Sequence, residues 1–293
     1  MMSADGLSST LNGSVLAEFT DEFGNVLGRM TPESLSVVSS DNPADYVEVD
    51  FLLRSVLACG GRYRMISLGA SPGEWTIRAD RACAKRWPDC DYLSLSVEAD
   101  PVHLRIMYDY FINNSVDEKR NVMVYGAVGP KDGFSYLPIV AQNNWGAGVV
   151  AFSDEKAGSA NIDVPEHKKV GHLSDTNRTE LTYRCVMTFG LDSLIERVGL
   201  TDFLHVDIQH NEIDVLPPHI EMLGRSVKVC CISVHSSEIT KQLKAAFDNG
   251  EWRLARDIPG HFIQGPHGEE NHKDGVLIFI NNSLCRGDGA IFD

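Results

Sequence analysis

The sequence predicts a doubly wound, Rossmann-like α/β fold, a mostly parallel sheet with helices on both faces. Two observations carry that prediction. Between residues 63 and 101 the apolar run Met65-Ile66-Ser67-Leu68 passes into the turn Gly69-Ala70-Ser71-Pro72-Gly73-Glu74-Trp75, then a helical segment, then a second apolar run over 92–97. Buried strand, tight turn, helix and strand make a βαβ unit. Further along, 121–125, 203–208, 227–234 and 275–280 are short apolar runs separated by segments of helical spacing, the alternation of a wound sheet.

Taken in order, residues 1–12 are rich in Ser, Gly, Asn and Asp and are expected to be disordered. Residues 13–42 read as a hairpin, strands at 15–19 and 26–30 around Gly24, followed by a polar loop. The main domain is expected over 43–293. It opens with a helix over 46–58, where Val47, Phe51, Leu52, Val56 and Leu57 recur at helical spacing and Gly60-Gly61 stop the element. The helix after Gly73 ends before Pro88, because that ring disfavours continued helix. Asp100-Pro101 opens the next helix, with Leu104, Met107, Tyr108 and Phe111 behind it. Gly126-Ala127-Val128-Gly129 follows the third strand, and 134–139 predicts an antiparallel strand. Residues 141–178 show little periodicity and read as an insertion on the substrate side. A strand at 181–188, a helix from Leu191, the strand 203–208 and a short helix cut by Pro217-Pro218 come next. The strand 227–234 delivers His235, a helix spans 238–247, and 275–280 closes the sheet as a terminal antiparallel strand at its edge. His261, His267 and His272 fall in a polar loop.

Composition narrows the partners. The 293 residues are 43% hydrophobic and 23% charged, ordinary for a globular chain, but 41 acidic against 26 basic side chains give a formal charge of -15. Such a surface repels phosphate backbones and anionic lipid, so no nucleic-acid and no membrane partner is expected. Seven cysteines without a repeated CxxC suggest neither a zinc cluster nor a disulfide framework. With no leader-like start and no apolar run of roughly 18 residues, a cytoplasmic location is expected.

The first βαβ unit carries the chemistry. Gly69 and Gly73 permit a sharp turn and close approach of a ligand, and Gly73 precedes a helix whose first N–H groups are unpaired. Glu98, at the tip of the second strand, is placed to accept hydrogen bonds from a ribose hydroxyl pair. A bare GxxxG also serves helix-on-sheet packing; the strand before, the helix after and the acid beyond make the nucleoside reading specific.

These residues resemble the FkbM-type family of S-adenosylmethionine-dependent methyltransferases. The family opens its cofactor site with an apolar strand, Asp-Val-Gly-Ala-Asn and Gly-Glu, met here by Ser67-Leu68-Gly69-Ala70-Ser71-Pro72-Gly73-Glu74. Its Phe-Glu-Pro turn is met by Val97-Glu98-Ala99-Asp100-Pro101, its Asn-Ala-Ala-Val by Tyr125-Gly126-Ala127-Val128, and its Leu-Asp-Ser-Leu by Leu191-Asp192-Ser193-Leu194. Its Lys-Ile-Asp-Val-Glu-Gly signature appears as His205-Val206-Asp207-Ile208-Gln209-His210, followed by Asn211-Glu212. Gln209 replaces a carboxylate and His210 a glycine. Ser233 stands where the family has a Glu ahead of the retained His235, and Ser67 where it often has an acid.

The resemblance implies a class I methyltransferase sheet, S-adenosyl-L-methionine as cofactor, and transfer of its methyl group to a hydroxyl of a small molecule, sugar or secondary metabolite. Cofactor contacts are expected from Gly69, Ala70, Gly73, Glu74, Glu98, Ala99, Ala127 and Asp207. His235 is the first candidate for a general base and His210 the second, with Asp207 orienting a histidine, the acceptor or the methionine end. No metal is expected, although His205, Asp207, His210 and His235 are the residues from which a mononuclear site could be assembled. Two rivals stay open: a catalytically inactive nucleoside-binding or partner subunit, and a nicotinamide-dependent oxidoreductase, which the absence of GxGxxG disfavours. Homo-oligomerisation is left open.

Overall fold

The computed structural model describes residues 17–20, 26–30, 43–139, 148–149, 151–153, 183–265 and 268–292. The expected disordered start, the 21–25 turn, most of the 31–45 loop, nearly all of the 141–178 insertion with Trp145, and His267 lie outside the described residues.

The N-terminal strands pair as expected, β1 (Ala17–Thr20) antiparallel to β2 (Val26–Met30). Helix α1 (Pro43–Ala58) leads into β3 (Arg62–Leu68), α2 (Glu74–Arg86), β4 (Asp91–Glu98), α3 (Pro101–Asn113) and β5 (Asn121–Tyr125). Asp100 caps α3, its side chain accepting from the Val102 N–H at 2.7 Å, and Pro101 occupies the first turn, where its missing N–H costs nothing. Strands β6 (Ala127–Gly129), β7 (Gly133–Pro138), β8 (Ala151–Ser153) and β9 (Tyr183–Gly190) form a second sheet in the order β6-β9-β7-β8. Helix α4 (Leu191–Val198) returns the chain to β10 (Thr201–Val206). Then come α5 (Glu212–Val215), a 3-10 turn (Pro217–His219), α6 (Ile220–Ser226), β11 (Val227–Val234) and α7 (Ser237–Phe247), capped by Ser236. The chain ends through β12 (Trp252–Ile258), β13 (His261–Gly265), β14 (Gly268–Lys273), β15 (Gly275–Asn281) and α8 (Gly289–Phe292).

The main sheet runs β12-β15-β11-β10-β3-β4-β5. Strands β5, β4, β3, β10 and β11 are mutually parallel, and β15 is antiparallel to both β11 and β12. Side chains alternate between two cores. Ile66, Leu68, Leu204 and Val206 face α4 and α7, while Met65, Phe203, Val229 and Cys231 face α1 and α2. With both faces covered, this is the Rossmann-like class I methyltransferase sheet with its antiparallel strand.

Two expectations need correction. The run 275–280 is not at the edge: β15 is buried along its whole length and paired on both sides. The edge is β12, whose Arg253, Arg256 and Asp257 break the apolar run that marks the other strands. The segment holding His261 and His272 is a hairpin rather than a loop, β13 pairing antiparallel with β14. Among the described residues no helix is long and apolar enough to cross a membrane.

Candidate functional site

Strand order reverses between β3 and β10, and the crevice outside their carboxyl ends is where such sheets bind ligands. A cleft of about 300 Å³ lies there, at the lower end of the usual range for ligand sites. Its floor is the Gly69 turn after β3, its near wall Glu98 and Ala99 after β4, and its far wall Asp207, Ile208 and Gln209 after β10. The second sheet covers it with Ala127, Val128 and Leu137, joined by Gly148 and Val149.

Gly69 has a φ of 69°, and a Cβ there would fall 1.7 Å from the Asp207 carbonyl oxygen. The glycine thus lets the turns after β3 and β10 touch, a backbone reason added to the expected ligand approach. Gly73, with a φ of 88°, faces away: a Cβ would meet the side chains of Phe111 and Met107 on α3. Ala70 is buried against Ile77, Met107, Tyr110 and Phe111, and Glu74 pairs with Arg78 at 3.1 Å one turn along α2. Of the expected cofactor residues, the structure brings Gly69, Glu98, Ala99, Ala127 and Asp207 to the cleft and sets Ala70, Gly73 and Glu74 behind it.

Glu98 is 8% exposed, and backbone N–H groups hold both its oxygens. Asp100 donates to Oε1 at 2.8 Å and Ser71 to Oε2 at 3.2 Å. Burial pushes its carboxyl up and the N–H bonds pull it back, leaving it at about 7.

Across the cleft stands an acid–histidine–acid array. His235 is buried, with Nε2 3.1 Å from Asp207 Oδ1 and Nδ1 3.1 Å from Glu212 Oε1. Asp274, ahead of β15, places Oδ1 3.7 Å from the same Nε2 and accepts from Asn271 Nδ2 at 2.5 Å. Burial opposes charge on His235, but the Glu212 and Asp207 carboxylates prevail and hold the imidazole well above its ordinary value of 6.5. Burial likewise pushes Asp207 up, yet its contact with His235 leaves it below the ordinary carboxyl value. Gln209 Nε2 donates to Asp207 Oδ1 at 2.8 Å. Gln209 and His210 both adopt positive φ, 48° and 72°. His210 therefore sits in the left-handed region that favours glycine, and its ring lies 5.4 Å from that of His235.

The four residues from which sequence could assemble a metal site are divided. His205 points into the α1 side of the sheet, where Glu48 of α1 lies 3.7 Å from its Nε2, Ser67 3.3 Å from its Nδ1 and Trp75 against its ring. Ser233 donates to that same Glu48 at 3.4 Å. A carboxylate from α1 thus faces both His205 of β10 and Ser233 of β11. Asp274, Asn271 and His103, which also line the cleft, were not foreseen: 268–273 contains no apolar residue to mark a strand, and its approach to the cleft is set by hairpin geometry.

No protein-family model matches the chain. It is 25% identical over 243 residues, 82% of this chain and 80% of the other, to a protein of Jannaschia sp. (strain CCS1) named "Putative methyltransferase". Among solved structures it is similar to methyltransferase FkbM from Methylobacillus flagellatus KT, at 13% identity and a TM-score of 0.43 over 75% of this chain. An O-methyltransferase from Bacillus cereus in complex with SAH is similar at 10% identity and a TM-score of 0.39, covering 85% of this chain and 91% of that one. The chain spans 44% of the length of the Methylobacillus structure.

Proposed function

We propose that this protein binds S-adenosyl-L-methionine in the cleft and transfers its methyl group to a hydroxyl of a small molecule, sugar or secondary metabolite. The observation that carries the reading is Glu98, a nearly buried carboxylate fixed by two backbone N–H bonds at the tip of β4 and facing a ligand-sized cleft. Its free lone pairs suit the two ribose hydroxyls, with Gly69 under the nucleoside and Ala99 and Ala127 beside the adenine. The name of the Jannaschia relative and the resemblance to the FkbM-type family support the same class.

Asp207 faces the cleft with its side chain 31% exposed and is the group that meets the acceptor. Bound in the cleft, S-adenosylmethionine would supply the methyl group to the acceptor oxygen and would keep the electron pair of the broken carbon–sulfur bond on its sulfur. The alkylated oxygen is far more acidic than any carboxyl, so its proton passes even to a weak base such as Asp207. His235 has carboxylates at both nitrogens and stands behind Asp207, so it acts as a positioning residue, with His210 fixing the bend beside it. The enzyme's main contribution is closeness and alignment of oxygen and methyl group. Gly148 and Val149 line the cleft on the side left for the acceptor.

Calorimetric titration with S-adenosylmethionine and S-adenosylhomocysteine, with NAD as control, tests the reading. Binding of the first two and not of NAD is expected. NAD binding alone would move the site to hydride transfer, and binding of the first two without turnover across an acceptor screen would leave a nucleoside-binding subunit.

A further inference from the structure

Asp207, Glu212 and His235 each offer a ligand atom within 4.8 Å of the others. Both His235 nitrogens and Glu212 Oε2 are buried without a hydrogen-bond partner, although carboxylate oxygens lie 3.1 Å from each nitrogen. Buried polar groups left in that state are costly, and a native structure keeps them where something else completes them.

The geometry points to a divalent-cation site at the acceptor end of the cleft, ligated by His235 Nε2, Asp207 and Asp274, with Glu212 holding the imidazole from behind. On the Nε2 side three ligand atoms converge: Nε2 itself, which gives up its proton when a cation binds, Asp207 Oδ1 at 3.1 Å and Asp274 Oδ1 at 3.7 Å. Ligands about 2.1–2.2 Å from a metal and at right angles stand roughly 3 Å apart, so the shorter separation is that of adjacent ligands in an octahedral site. On the other side, Glu212 Oε1 at Nδ1 completes the carboxylate–histidine–metal arrangement that fixes the tautomer of a ligating histidine. Two carboxylates and one imidazole form a mainly hard donor set with a charge of -2, suited to Mg²⁺, Mn²⁺ or Zn²⁺. Asp207 and Asp274 both line the cleft, so exchangeable positions on the ion face the space for the acceptor. There the cation would bind the acceptor hydroxyl and draw electron density from its O–H bond, a role that rests on the proposed methyl transfer; cation binding itself does not.

The test uses the full chain, stripped of metal, and Mn²⁺ alone, followed by loss of the free-ion electron paramagnetic resonance signal. One Mn²⁺ per chain is expected, displaced by Mg²⁺ or Zn²⁺. Asp274 is 45% exposed, so Asp274→Asn leaves the interior intact and should weaken Mn²⁺ at least about tenfold. Glu212→Gln, which does not touch the ion, should also weaken it about tenfold through the imidazole. Asp257→Asn makes the same charge change at an ion pair with Lys244, away from the cleft, and should change nothing. Absence of Mn²⁺ binding by the wild-type chain would overturn the assignment. So would an equal loss from Asp257→Asn, which would reduce the effect to diffuse attraction by an acidic surface. Calorimetry with S-adenosylmethionine on metal-free protein separates the two readings: a chain that binds S-adenosylmethionine but fails to bind Mn²⁺ loses this site alone, and a chain that binds Mn²⁺ but fails to bind S-adenosylmethionine loses only the proposed function.

Discussion

Glu98 is the side chain through which pH would act on the proposed cofactor site. Burial raises its carboxyl to about 7 in the free protein, so folding favours the protonated acid. That contribution to stability is complete below the ordinary value of 4.5 and is lost as pH rises through about 7. A nucleoside acts in the opposite sense, since hydroxyl donors stabilise the ionised form. Cofactor affinity should therefore fall as pH drops through about 7, and calorimetry between about pH 6 and about pH 8 would follow it. Glu98→Gln removes the titration while keeping the shape. It should flatten the pH profile and weaken binding roughly tenfold to a hundredfold, the worth of about 1.5–3 kcal/mol for hydrogen bonds to a charged group. A wild-type profile flat across this range would end the ribose role.

At the scale of elements, α1 does more than fill a face of the sheet. Its periodicity was legible because Phe51, Leu52 and Val56 are core residues, but nothing in the sequence marked Glu48 as the carboxylate beneath β3, β10 and β11. Burial raises its carboxyl against the pull of His205, so Glu48, His205, Ser233 and Cys231 depend on one another for partners. Glu48→Ala should cost about 2–3 kcal/mol, through buried groups left unsatisfied, and lower the urea midpoint. Cofactor affinity of the folded protein should change little, since the cluster is outside the cleft; a loss comparable to that of Glu98→Gln would join the two sites. The same contrast explains what sequence could and could not disclose. Strands β3, β4, β10 and β11 announce themselves because burial on both faces demands apolar runs, and Glu98 follows from its place at a strand tip. Asp274, Asn271 and Glu48 come from elements whose pattern says nothing about where they dock, and Gly73 shares a motif with Gly69 while packing a helix.

For the whole molecule the relevant quantity is the charge of -15, spread over a chain whose candidate ligand exists in two charge states. S-adenosylmethionine carries a sulfonium that S-adenosylhomocysteine lacks, while the rest of the two ligands is shared. A negative protein field favours the former by an amount that salt screens, because the Debye length shortens from about 30 Å at 0.01 M to about 3 Å at 1 M. Close contacts at Gly69 and Glu98 are common to both ligands and cancel in the comparison. Raising sodium chloride from about 0.02 M to about 0.5 M should therefore weaken S-adenosylmethionine several-fold and S-adenosylhomocysteine less than about twofold. Parallel calorimetric titrations at the two salt concentrations measure the difference directly. Equal losses for both ligands would mean that the acidic surface is a solvated exterior without influence on the cleft, and would leave discrimination between the two to the groups around Asp207 alone.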